Sequence, residues 1–141
     1  MKIYKSKISY GLLLFVFLIL SLSFATGLIY GKSTNDILVS LGIFFLTFGF
    51  VLYLFFNTEY TIFDDFLKIK CGFIYNKKLR IFNIKSISKT NSLISSPAAS
   101  FDRIELRYWQ FGSVIISPKD KIGFAKELLR INPTIGINFK L

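Results

Sequence analysis

The chain has no histidine, and its 141 residues include one cysteine, one methionine, one tryptophan and three prolines. Without an imidazole there is no histidine-based triad, no Cys-His pair and none of the commonest zinc or iron sites. The single thiol, Cys71, excludes an intramolecular disulfide and fits a reducing compartment. It falls in the apolar register of Leu67 and Ile69, the place of a buried, inert thiol rather than a nucleophile. No glycine-rich phosphate loop is present. Carboxylates are few, eight Asp and Glu against eighteen Lys and Arg, for a net charge of +10. The adjacent pair Asp64-Asp65 reads as a turn, because neighbouring strand positions face opposite ways and do not share a metal. Asp102 and Glu105 stand among Arg103 and Arg107, a pattern of surface ion pairs. With no catalytic constellation, the expectation is a protein that is not an enzyme and needs no cofactor or metal.

Charge is also missing from two long stretches, residues 8–29 and 37–56. Each has about the 20 residues that carry a helix across about 30 Å of hydrocarbon, and neither has the polar face of a helix in a soluble core. The lack of ionisable groups inside them argues against an ion path or proton relay, so they read as an anchor. A cleaved signal peptide is the alternative for the first: Lys2, Lys5 and Lys7 precede it, and Ser23-Phe24-Ala25 resembles a cleavage site. Against cleavage, the apolar run continues through Leu28 and Ile29, past the usual signal core of about 7 to 15 residues. Gly27 and Gly31 form a GxxxG spacing and Gly42 and Gly49 lie seven apart, weak signals for helix pairing that leave the oligomeric state open.

Fourteen of the eighteen basic residues follow residue 56 and three precede the first span, whereas the connector has only Lys32, opposed by Asp36. Positive residues beside a span stay in the cytoplasm. The expected organisation is a basic cytoplasmic N-terminus over 1–7, transmembrane helices over 8–29 and 37–56, a short external loop over 30–36, and a cytoplasmic domain over 57–141.

Past Asn57 the period changes to two. Tyr60 and Ile62 alternate with Thr61 and Phe63, and Leu67, Ile69 and Cys71 alternate with Lys68 and Lys70 after the Asp64-Asp65 turn, as in a half-buried antiparallel hairpin. Asn76-Lys77-Lys78 is expected to form a second turn, followed by Leu79, Arg80 and Ile81, with Ile84 and Ile87 continuing or closing that strand. Residues 88–101, rich in Ser, Asn and Ala, read as a connector. Ile104, Leu106 and Tyr108 alternate with Arg103, Glu105 and Arg107 in another strand, and Phe111-Gly112 turns the chain into Ser113–Ile116. A final helix is expected from a Ser117 cap with Pro118 in its first position, its apolar side made by Ile122, Ala125 and Leu129 with Phe124 and Leu128, ending at Asn132-Pro133.

The stretch Ser95-Ser96-Pro97-Ala98, Ser100, Asp102-Arg103-Ile104-Glu105, Ile116-Ser117-Pro118-Lys119-Asp120-Lys121 and Asn132-Pro133 resembles a family of bacterial pleckstrin-homology-like domains that follow two membrane helices. The resemblance covers residues 57–137. It implies an α+β fold, an antiparallel PH-like sheet or barrel capped by one C-terminal helix, and a location in the cell membrane of Gram-positive-type bacteria. It carries over no activity and no functional residue.

From residue 57 onward, fourteen Lys and Arg face seven Asp and Glu. A basic domain held near an inner leaflet meets anionic lipid at short range. Lys68, Lys70, Lys77, Lys78 and Arg80 are therefore a candidate patch for acidic headgroups or phosphate, against the plainer reading of a solvated face that serves topology alone. Trp109 and Phe111, at an expected hairpin tip, are candidate aromatics for docking on a partner or on the bilayer interface. Nucleic acid fits poorly, since the domain is tethered and no recognition helix is visible. The leading expectation is a membrane-anchored, non-enzymatic module that contacts a membrane protein or anionic lipid. A bacteriocin or antimicrobial-peptide immunity protein, matched in size and layout, is the alternative.

Overall fold

The computed structural model describes residues 1–30, 33–90, 92, 100–109 and 112–139. Lys2–Lys5, expected to be a basic tail, form a strand, β1. The chain then enters two helices, α1 (Tyr10–Tyr30) and α2 (Thr34–Phe56), and returns directly into β2 (Thr58–Phe63). β1 pairs antiparallel with β2, Lys2 opposite Ile62 and Lys5 opposite Glu59. The helical hairpin thus replaces the turn between two neighbouring strands, and both of its ends enter the same sheet. Four residues are too few to show a period of two, and the three flanking lysines look like a topology signal, so β1 was not legible from the sequence.

Both helices are long and apolar enough to cross a membrane, and neither buries a residue against the rest of the molecule. They meet each other through Phe17, Phe24, Phe44 and Phe48, with ring centroids 5.3 to 5.9 Å apart across the pair. A Cβ on Gly27 would stand 3.2 Å from the Ser40 side chain, so this glycine serves the crossing inside the hairpin. Its expected partner Gly31 lies outside the described residues. Ser33 caps α2 and receives Asp36 in return, a capping box that stops the two helices from merging into one.

The first sheet has the order β1-β2-β3-β4, with β3 at Phe66–Cys71 and β4 at Tyr75–Arg80. The turn between β3 and β4 falls at residues 72–74, four residues before the expected Asn76-Lys77-Lys78 turn. Gly72, at φ +52°, makes the sharp reversal that β-substituted residues resist. Asp64, at φ 47°, turns β2 into β3 as expected. A 3-10 turn (Ile81–Asn83) passes the chain to the second sheet, β7-β6-β5-β8, with β5 at Ile84–Thr90, β6 at Arg103–Tyr108, β7 at Gly112–Ile116 and β8 at Gly136–Asn138. Ile84 and Ile87 are both buried although three apart, because a bulge between Ile84 and Ser86 resets the alternation. The sheets do not close into a barrel; a bridge between Ser6 and Pro118 joins them at one corner. β8 departs from the antiparallel rule by running parallel to β5.

α3 (Lys121–Ile131) covers the open side, burying Phe124, Ala125 and Leu128 among Tyr60, Leu67, Ile69, Ile87, Ile104 and Leu106. Its cap is Asp120, whose carboxylate accepts from the Gly123 amide, and not Ser117. Ser117 is fully buried and bonds to Ser6 at 2.9 Å, which leaves Pro118 in the bridge to Ser6. Ile122, expected on the apolar side, is instead half exposed.

Candidate functional site

The register decides which cations share a face. Lys68 stands opposite Lys78, Lys70 opposite Asn76 and Phe66 opposite Arg80, so Phe66, Lys68, Lys70, Lys78 and Arg80 all lie on the outer face of the first sheet. Lys77 stands opposite the fully buried Ile69 and points the other way. It donates to the Tyr108 hydroxyl at 2.5 Å, and that bond holds its pKa above the ordinary lysine value. The cluster Lys77, Lys78 and Arg80 expected from the sequence is thus split: Lys77 ties the two sheets together, and the other two face solvent. One residue of strand separates opposite faces, whereas a turn would have left all three side by side.

Lys70 is drawn towards Glu59 on β2, at 3.9 Å. Among the described residues, neither Lys78 nor Arg80 is in an ion pair. Their neighbours are aromatic. Lys78 lies 4.0 Å from the centroid of Phe66 and 4.9 Å from that of Phe63, rings that stack on each other at 5.9 Å, and Arg80 lies 5.8 Å from Phe66. Cations over ring faces are held in place while their charge stays uncompensated. Lys68 and Lys78 face each other across the ladder, where like charges repel.

Phe66, Lys78 and Arg80 line a groove of about 410 Å³ together with Leu79, Asn83, Tyr108 and Trp109. Trp109 holds a left-handed backbone, φ 52°, with its amide bonded to the Asn83 carbonyl at 3.2 Å, and leaves 74% of its surface exposed. A bulky residue in that conformation is strained and its exposure is unfavourable, so packing does not account for it. The β6–β7 turn therefore brings the tryptophan expected at a hairpin tip to the cations of β4. Phe111, its companion in that expectation, lies outside the described residues. On the other side of Trp109 a second hollow, about 380 Å³, holds Lys85, Glu105 and Arg107, but there the Arg107 guanidinium pairs with Glu105 at 3.3 Å.

A family model described as Bacterial PH domain matches residues 58–132, more than half of the chain. The chain belongs to the bacterial PH domain family. No match was found among curated proteins or among solved structures. The matched stretch of the PH domain opens at β2 and ends just past α3, so β1 completes its first sheet from the far side of the helical hairpin.

The groove sits at the end of the PH domain away from the helices. β2 leaves α2 at Thr58, which pairs with Cys71 and through it with Tyr75, whereas Phe63, Phe66 and Arg80 lie at the opposite ends of the same three strands. Trp109 joins them there through its bond to Asn83. A six-residue strand of roughly 20 Å separates Trp109 from the helix ends.

Arg103, expected on the surface, is structural, whereas Asp102 makes the surface ion pairing expected of it with Lys7 and Lys121. Arg103 is only 5% exposed; it donates to the carbonyls of Ser100 and, at 3.0 Å, Ser92, and burial lowers its pKa. Asp102 binds Lys121 and, at 2.9 Å, Lys7, and the hydrogen bond from Lys121 does most to hold its pKa below the ordinary value. Cys71 is partly exposed, with the Thr58 hydroxyl 3.2 Å from its sulfur.

Proposed function

We propose that this protein is a membrane-anchored, non-enzymatic binding module at the cytoplasmic face, whose PH domain receives an anionic segment of a protein partner in the groove of Lys78, Arg80 and Trp109. The observation that carries the reading is the pair of cations held over Phe63 and Phe66, without a carboxylate partner among the described residues, beside an exposed tryptophan in a strained turn. The two apolar helices support the anchor, and the excess of lysine and arginine outside them supports the cytoplasmic orientation. A protein partner is favoured over headgroups of the anchoring membrane because the groove is about 20 Å from the helix ends, whereas charge is screened over about 8 to 10 Å at physiological salt. Lys70, Lys5 and Lys7, at the near end, are the cations placed for anionic lipid.

Trp109, the only tryptophan, reports directly on the groove. The full chain in uncharged phosphatidylcholine nanodiscs, titrated with an oligoglutamate peptide, is expected to show a saturable change in emission that weakens with salt. Lys78→Ser with Arg80→Ser should abolish the change, and Lys77→Ser should preserve it. A response that appears only when phosphatidylglycerol is added to the disc would transfer the site to lipid. No response to either would remove the reading.

A further inference from the structure

The β3–β4 turn, Gly72-Phe73-Ile74, carries no charge and presents two large apolar side chains, Phe73 at 73% and Ile74 at 59% exposed. Exposed apolar residues at the tip of a soluble domain ordinarily face water at a loss, but this tip has a particular neighbour. The Phe73 ring stands 5.8 Å from Tyr53 and 6.0 Å from Phe50, centroid to centroid, and both belong to α2. Phe50 is six residues before the last residue of that helix, which places Phe73 roughly 9 Å along the apolar segment from its end. The 23 residues of α2 span roughly 34 Å, only a little more than the hydrocarbon thickness of about 30 Å. A ring held beside Phe50 therefore reaches past the headgroups.

The contact is built in, not incidental. The Gly72 amide donates to the Asn57 carbonyl at 2.8 Å, pinning the turn to the end of α2. A Cβ at Gly72 would fall 2.9 Å from both Leu54 and Tyr53, so the glycine is what allows the approach. Tyr53 near the end of α2 touches the turn, and Tyr10 begins α1; both are helix-end positions of the kind where aromatic rings anchor proteins to the membrane interface. On the strands behind it Lys70 points outward, placed for headgroups.

We infer that the β3–β4 turn is a third membrane contact: Phe73 and Ile74 enter the lipid interface beside α2 and, with the two helix junctions, fix the PH domain upright so that the Lys78–Trp109 groove faces away from the bilayer. The inference rests on the anchoring proposed above. Because β1, β2, β3 and β4 are consecutive in one sheet about 4.8 Å apart, the three contacts form a short row along its lower edge, which resists tilting more than a single tether would.

The full chain is reconstituted in vesicles of phosphatidylcholine and phosphatidylglycerol with bromine at a shallow acyl position, and three single-tryptophan proteins are compared. These are the native chain with Trp109, and Phe73→Trp and Phe45→Trp, each in a Trp109→Phe background. Position 45 lies in the middle of α2 and reports on the anchor itself. Quenching and a blue shift at positions 73 and 45, with Trp109 unaffected, are expected. Quenching at 45 without quenching at 73 overturns the inference and leaves the anchor standing. No quenching at 45 overturns the anchor, and the inference falls with it.

Discussion

At the scale of single residues, the hydroxyl of Tyr60 joins the two ends of the sequence. It donates to the Ser6 Oγ at 3.2 Å and accepts from the Ser117 amide at 3.1 Å, in a place where Tyr60 and Ser117 are wholly buried. Burial also raises the Tyr60 pKa, so the phenol stays protonated and able to donate. Tyr60→Phe keeps the ring and leaves the Ser117 amide without this partner, which should destabilise the protein by about 1 to 3 kcal/mol, read as a lower denaturant midpoint with unchanged slope. The lysines of β4 make the complementary point. Lys77 and Lys78 are adjacent in sequence and chemically identical, yet one braces Tyr108 and the other offers its charge to solvent. Substituting Lys77 is accordingly expected to lower the melting temperature while sparing groove binding, and substituting Lys78 to do the reverse.

At the scale of elements, the β3–β4 turn depends on one glycine. Gly72→Ala meets both the left-handed backbone and the side chains of Leu54 and Tyr53. The backbone strain alone is about 1 to 2 kcal/mol. The close approach adds to it, so a loss of at least that size is expected in denaturant unfolding of the full chain in micelles. β1 shows how an element escapes sequence reading. Its Tyr4 packs edge-on against Phe124 at 5.3 Å and donates to the Gly123 carbonyl at 3.2 Å, contacts across more than a hundred residues that no local period announces. The longer strands β2, β3 and β6 were legible because each has room for two or three repeats of buried and exposed positions. The turn after β3 was misplaced because polar Asn76-Lys77-Lys78 resembles a turn more than Phe73-Ile74 does; the apolar tip makes sense only once α2 is beside it.

At the scale of the whole molecule, two carboxylates hold the N-terminal segment against α3. Glu127 takes Lys2 at 2.6 Å and Arg130 at 2.9 Å, and Asp102 bridges Lys7 and Lys121. The hydrogen bond from Lys2 does most to lower the Glu127 pKa, and that from Lys121 does most for Asp102. A carboxyl whose folded pKa lies below its unfolded value stabilises the fold at any pH above the unfolded value, and that contribution is lost as pH falls through the folded one. Stability should therefore be flat from neutral pH to about 5 and decline below about 4, with faster hydrogen exchange in residues 2–6 as β1 loosens. The double variant Asp102→Asn, Glu127→Gln should already be less stable at pH 7 and show a shallower decline. A wild-type profile unchanged by these substitutions would show that the clamps do not connect β1 to α3.

The sequence by itself determined the two apolar helices, the basic excess, the alternating strands and the C-terminal helix, because each rests on local composition or on a repeat that neighbouring residues reveal. It also supplied three side chains of the candidate groove, Lys78, Arg80 and Trp109, but not Phe66, Leu79, Asn83 or Tyr108. Only the tertiary structure decided that β1 enters the sheet ahead of the helices, that Lys77 leaves the patch, that Trp109 joins Lys78 and Arg80, and that Phe73 lies along α2. The physical reason is the same in each case: strand register and the reach of a turn select which of two faces, and which of two ends, a side chain occupies. Those choices are made by contacts between residues far apart in the chain.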